Sequence, residues 1–84
     1  MFVASVYVTL KASVNDPQGL TIRGGLHQLG FDSVEDVRAG KFFEIRVKEG
    51  SKSRAEKAVT GMCEQLLANK VIEDYRFELQ TEIG

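Results

Sequence analysis

The side chains in this sequence with the most chemistry to offer are one cysteine, Cys63, one histidine, His27, and the acidic pairs Glu35-Asp36 and Glu73-Asp74. Their spacing limits that chemistry sharply. A lone cysteine makes no internal disulfide and no multi-cysteine metal site, and it suits a reducing compartment. Cys63 falls at the edge of an apolar helical stripe, without a histidine or a helix N-terminus nearby to lower its pKa, so it reads as a small buried hydrophobe. His27 has no second ligand at helical spacing and reads as a surface histidine. The acidic pairs, with Glu49, fall at strand ends and turns, where solvated charge is expected. The sequence contains no Cys-x-x-Cys, no glycine-rich phosphate loop and no His-Glu pair at helical spacing. Ser-His and Cys-His arrangements do not go beyond single residues. No catalytic, cofactor-binding or metal-ligating residue is therefore expected on this chain.

What remains is chemistry for contact with partners. Asp36, Arg38 and Lys41 crowd charge around Gly40, where a planar guanidinium and a flexible ammonium could engage a partner's carboxylates. Val3, Tyr7 and Phe42 form a candidate oligomer interface. Tyr7 and Phe42 also occupy positions from which a sheet can stack RNA bases. The basic, aromatic-rich sequence of RNA-binding sheets is missing, however, and Glu44 and Glu78 share that face. A net charge of −1 adds no general pull toward nucleic acid or anionic lipid.

The elements that position these residues are legible in the periodicity. Phe2 to Lys11 alternates, with Phe2, Ala4, Val6, Val8 and Leu10 on one face, and predicts a strand. Asp16-Pro17 predicts a helix start, with a carboxylate at the N-cap and proline at the first helical position. Ile22, Leu26 and Leu29 follow as its buried stripe, and Gly30 as its left-handed cap. Gly24-Gly25 inside that helix is either tolerated or marks close backbone packing. Val34 to Lys48 reads as a β-hairpin turning near Gly40, with Phe43, Ile45 and Val47 inward. Ser53-Arg54-Ala55-Glu56 matches a capping box, with Ser51 as a competing earlier cap, and opens a second helix. The stripe of that helix is Ala55, Val59, Met62 and Leu66, and Asn69 is a plausible residue at its C-terminal end. A last strand runs from Tyr75 onward.

The order β, α, β, β, α, β predicts an α+β fold, a ferredoxin-like βαββαβ sandwich. Its antiparallel sheet would carry both helices on one face, with the hairpin's first arm and the C-terminal strand outermost. Ile45 is expected on an inner strand. The chain of 84 residues is expected to be one domain spanning 1–84. No apolar run approaches the roughly 20 residues of a membrane span, and no signal peptide is read at the N-terminus, so the expected location is cytoplasmic.

Together these stretches resemble the PurS subunit of phosphoribosylformylglycinamidine synthase. The resemblance rests on Val-Tyr-Val-Thr-Leu-Lys at 6–11, Asp-Pro-Gln-Gly at 16–19, Leu-Gly-Phe at 29–31 and Asp-Val-Arg-Ala-Gly-Lys at 36–41. Cys-Glu-Gln-Leu-Leu-Ala-Asn at 63–69 and Val-Ile-Glu-Asp-Tyr at 71–75 complete it. Ala12-Ser13, where Pro-Gly is usual, and Lys70, where proline is common, depart from the family pattern, both in loops. The resemblance implies a non-catalytic subunit of purine biosynthesis that joins a glutaminase subunit to a synthetase subunit and supports ammonia transfer between them. ATP, Mg²⁺ and glutamine would be used by those partners, not by this chain. It further implies a homo-oligomer, a dimer or a tetramer. The alternative is a regulatory domain of ferredoxin-like fold that binds a small metabolite near Gly30 or Gly40.

Overall fold

A computed structural model describes residues 1–82. Five regular elements form: β1 (Phe2–Leu10), α1 (Pro17–Gln28), β2 (Gly40–Val47), α2 (Lys52–Met62) and β3 (Glu73–Thr81). The sheet order is β2-β1-β3, with both pairs antiparallel. The α+β architecture with an antiparallel sheet and two helices is as expected. The first strand is central because it is the most apolar and β-branched, and Ala4, Val6 and Val8 are wholly buried on one face of it.

The core lies between that face and α2. Ala55, Val59 and Cys63 of the α2 region are fully buried over β1, and Phe77 and Leu79 of β3 pack against them. Immediately after Met62 the helix widens into a π turn, Cys63–Leu67, closed by the Ala68 amide donating to the Cys63 carbonyl at 3.0 Å. The wider turn rotates the residues beyond it. Leu66, expected in the core stripe, is consequently 83% exposed, while Cys63 and Leu67 turn toward the core. The helix starts one cap earlier than the capping box suggests: the Ser51 hydroxyl accepts from the Arg54 amide at 3.2 Å, and Ser53 lies inside the helix. Asn69 sits in the turn beyond the widened segment, its side chain accepting from the Val71 amide at 3.1 Å.

The expected hairpin does not form. Its first arm, Val34 to Ala39, is not a strand, because it runs back along α1 and spends its backbone groups there. His27 Nε2 lies 2.7 Å from the Val34 carbonyl, Gly19 packs on the Val37 carbonyl, and the Asp16 carboxylate accepts from the Ala39 amide at 2.9 Å. Two departures follow. The sheet has three strands, so β2 is an edge strand and Ile45 is half-buried on it rather than central. Helix α1 and its return segment also project as an arm instead of lying on the sheet. Leu20, Ile22, Leu29 and Phe31 are all exposed there. Gly24 and Gly25 have open space where a Cβ would be, so no close approach requires them. The molecule is correspondingly long and flat, 50 × 31 × 14 Å, with a radius of gyration of 16.4 Å. A compact chain of this length would have about 12 Å.

Candidate functional site

The arm is held at its root. Asp16 caps α1 by accepting from the Gly19 amide at 3.0 Å with one oxygen, and the other oxygen takes the Ala39 amide. Arg38 reaches over the same turn and donates to the carbonyls of Lys11 at 2.9 Å and Leu10 at 3.2 Å. Lys41 pairs with Glu73 at 3.4 Å. Among the three charged residues singled out for partner contact, Arg38 is thus committed to its own backbone, Lys41 is shared with Glu73, and Asp36 is exposed. They stand at the base of the arm, not at a hairpin tip.

The amides of Gly19 and Ala39, with help from the Arg38 charge, hold the Asp16 carboxyl below its ordinary value of 3.8. The Asn69 amide and Lys41 do the same for Glu73, and Lys70 for Glu64, both from 4.5. A carboxylate depressed in the folded state contributes stability above its unfolded pKa and loses it as pH falls through the folded one. The melting temperature should therefore be level above about pH 5 and decline below it. Asp16→Asn should lower it at neutral pH and flatten the acid decline, which a series of thermal melts from about pH 6 to about pH 3 will show. An unchanged acid slope in that variant would remove Asp16 from this account.

Two exposed surfaces stand apart from the arm root. On the outer sheet face, Tyr7 and Phe42 are cross-strand partners with ring centroids 5.1 Å apart, and the Arg76 guanidinium lies 4.0 Å from the Tyr7 ring centre. Phe42 is 55% exposed. Val3 shares the face but not the patch. The Ser5 row, with Glu44 and Glu78 opposite it, intervenes, and the ion pair of Arg46 with Glu82, 2.8 and 3.0 Å, spans the Val3 end. On the inner face α2 lies over β1 and β3 and leaves β2 only partly covered, with Val47 buried and Ile45 half-buried. An open apolar groove of about 650 Å³ results, floored by Ile45 and walled by Ala58, Met62, Leu66 and Leu67. The exposure of Leu66 comes from the π turn, for which periodicity gives no signal.

Among the described residues, no group of three or more His, Cys, Asp or Glu side chains could hold a metal ion. Cys63 is buried, and burial raises its pKa, as for an unreactive thiol. Of the two glycines of the metabolite-binding alternative, only Gly40 lines a cavity among the described residues, a small one of about 210 Å³ shared with Asp16, Lys41 and Glu73. Gly40 is packed on the Val8 carbonyl, and Gly30, at φ 97°, ends α1. Also among the described residues, no helix is long and apolar enough to cross a membrane.

Fold and surfaces define a small α+β module with two exposed apolar surfaces. A family model described as PurS, phosphoribosylformylglycinamidine (FGAM) synthase, matches residues 3–81. The phosphoribosylformylglycinamidine synthase subunit PurS of Bacillus subtilis is 45% identical over 84 residues, covering 100% of this chain and 99% of the relative. The corresponding Synechocystis subunit is 47% identical over 74 residues, 88% of this chain and 74% of the relative. The solved PurS of Methanocaldococcus jannaschii superimposes with a TM-score of 0.88 at 36% identity, covering 99% and 100% of the two chains. A chain of the PurLQS structure from Thermotoga maritima does so at 0.85 and 30%, covering 95% and 99%. The chain belongs to the PurS family of phosphoribosylformylglycinamidine synthase subunits.

Proposed function

We propose that this chain is the non-catalytic small subunit that joins the glutaminase and synthetase subunits of phosphoribosylformylglycinamidine synthase in purine biosynthesis, and that it supports ammonia transfer between them. The observation that carries this reading is the likeness, over 95% of the chain, to a component of the PurLQS structure. ATP, Mg²⁺ and glutamine then belong to the partners' chemistry, and the complex works in the cytoplasm. The chain self-associates, as its extended shape and exposed apolar side chains favour. The family match over residues 3–81 favours this reading over the metabolite-binding one.

Reconstitution from the three purified subunits tests the proposal. Glutamine-dependent synthase activity should require this chain, while activity driven by free ammonia, which bypasses the glutaminase, should depend on it less. Equal glutamine-dependent rates with and without the chain would sink the proposal.

The outer-face patch of Tyr7, Phe42 and Arg76 is the surface we assign to a partner subunit, with Asp36, Arg38 and Lys41 at the arm root as a second contact. Phe42→Asp removes an exposed ring and should shift stability by less than about 1 kcal/mol. At limiting subunit concentration it should nevertheless lower glutamine-dependent activity, and raising the concentration should restore it. Wild-type activity from this variant at every concentration would take the patch out of the assembly.

A further inference from the structure

The π turn that follows α2 is the least regular part of the helical layer, and it forms one wall of the open groove. Glu64, the second residue of that turn, is bonded to two residues that lie beyond it. Its carboxylate accepts from the Lys70 ammonium at 2.6 Å and from the Tyr75 hydroxyl, a bond that, with burial, pushes the Tyr75 pKa up to about 12. The chain past the turn is pinned as well. The Asn69 carbonyl takes the Ile72 and Glu73 amides at 3.1 and 2.7 Å, and the Glu73 carboxylate takes the Asn69 amide at 2.7 Å. On the other side of the turn, Val59 and Cys63 are fully buried. The turn therefore sits between two fixed points. Its i→i+5 ring winds the same residues into a wider and shorter coil than an α turn, so bonds that draw Lys70 and Tyr75 back onto Glu64 favour it.

What the π turn gives up is the burial of Leu66. An α turn through the same residues would place Leu66 seven residues after Val59 and three after Cys63, on the face that both of them bury against β1. In the π turn Leu66 stands 83% exposed at the rim of the groove, beside Met62 and above Ile45. A large apolar side chain left in water favours the register that covers it, and a π turn is rare without a local cause. We propose that Leu66 is a lid over the groove, and that the bonds from Lys70 and Tyr75 to Glu64 are the latch that holds it open. With the latch broken, the end of α2 rewinds to α and Leu66 swings inward over Ile45. The Leu67 amide then takes the Cys63 carbonyl and the Ala68 amide moves to the Glu64 carbonyl, so the rewinding leaves neither amide unpaired. The lid is a property of the single chain and rests on neither the subunit role nor the self-association proposed above.

Methyl NMR on the 84-residue chain tests the lid. Glu64→Ala removes both latch bonds and places a strong helix former in the turn. The cross-peak between the methyl groups of Leu66 and Ile45 should then grow several-fold over the parent's, and the Ala68 amide resonance should shift as its acceptor changes. Glu64→Gln, whose amide oxygen can still accept from Lys70 and Tyr75, should stay close to the parent. Lys70→Ala, at an exposed position, breaks the 2.6 Å bond alone and should give an intermediate increase, so the test stands even where Glu64→Ala does not fold. Adding Leu66→Gln to Glu64→Ala removes the apolar side chain that drives closure and should return the Ala68 resonance to its parent position. A cross-peak unchanged in both Glu64→Ala and Lys70→Ala overturns the proposal. So does growth in Glu64→Gln equal to that in Glu64→Ala, or an Ala68 resonance that stays displaced in the double variant.

Discussion

Val6→Asp should give a chain with no cooperative thermal transition. Val6 is completely buried on the central strand, between Phe43 and Phe77 across the sheet and among the residues that pack under Val59. A carboxylate there has no partner, and an unpaired buried charge costs several kcal/mol even after relaxation. The whole domain has only about 4 to 13 kcal/mol of stability to lose. Val6→Ala, which removes the equivalent of two methylenes and leaves a small cavity, should cost about 2 kcal/mol. Ile45→Ala belongs at the lower end of the roughly 2 to 5 kcal/mol range for buried isoleucine, because its edge strand and the open groove already expose it partly. A Val6→Asp chain that melts like its parent would show that this face is not the core.

Gly19→Val should dislodge the arm while leaving the sheet in place. A Cβ at Gly19 would collide with the Val37 carbonyl and lie 2.7 Å from an oxygen of Asp16, the cap that closes the root. Overpacking of this kind costs about 1 to 3 kcal/mol. The damage is local, so the amides at position 19 and of Ala39 should lose hydrogen-exchange protection and those of β1 should keep theirs. Gly24→Ala gives the contrast within the same helix: it meets nothing and should stabilise α1 by about 0.5 to 1 kcal/mol. Retained protection of Ala39 in the Gly19→Val chain would mean that the return segment does not lean on the helix.

These contrasts show which parts of the fold are written locally. The alternation of β1 and β3, the Asp16-Pro17 start of α1 and its Gly30 end are all fixed by neighbouring residues, and all are present. What periodicity leaves open is the destination of a segment. Val34 to Ala39 carries an alternation suited to a strand, but Asp16, Gly19 and His27 claim its backbone first, and no pattern within the segment announces claimants 7 to 23 residues away. The stripe of α1 is legible in the same way, while its place on or off the sheet is not. Leu66 fails for a different reason, since one widened turn undoes a regular count of 3.6 residues. On the outer face, Tyr7 and Phe42 meet as their spacing implies. Val3 is set apart from them by the Ser5 row between, as its spacing of four residues also implies; what the spacing does not announce is Arg46 finding Glu82 at that end, across 36 residues of sequence.

The central position of β1 also bears on how the protein is made. During synthesis β1 has one partner, β2, about forty residues later and the other, β3, about seventy later, ending where Phe2 faces Thr81. The buried face of Ala4, Val6 and Val8 therefore stays uncovered until α2, about fifty residues on, has been synthesised, and the second edge of the strand stays open until β3 follows; contacts so distant in sequence form slowly. At about 5 to 20 residues per second, that leaves an apolar, β-branched strand exposed for several seconds in every round of translation. In this subunit the nascent chain, before the last strand pairs, is the stage most open to aggregation and to capture by chaperones.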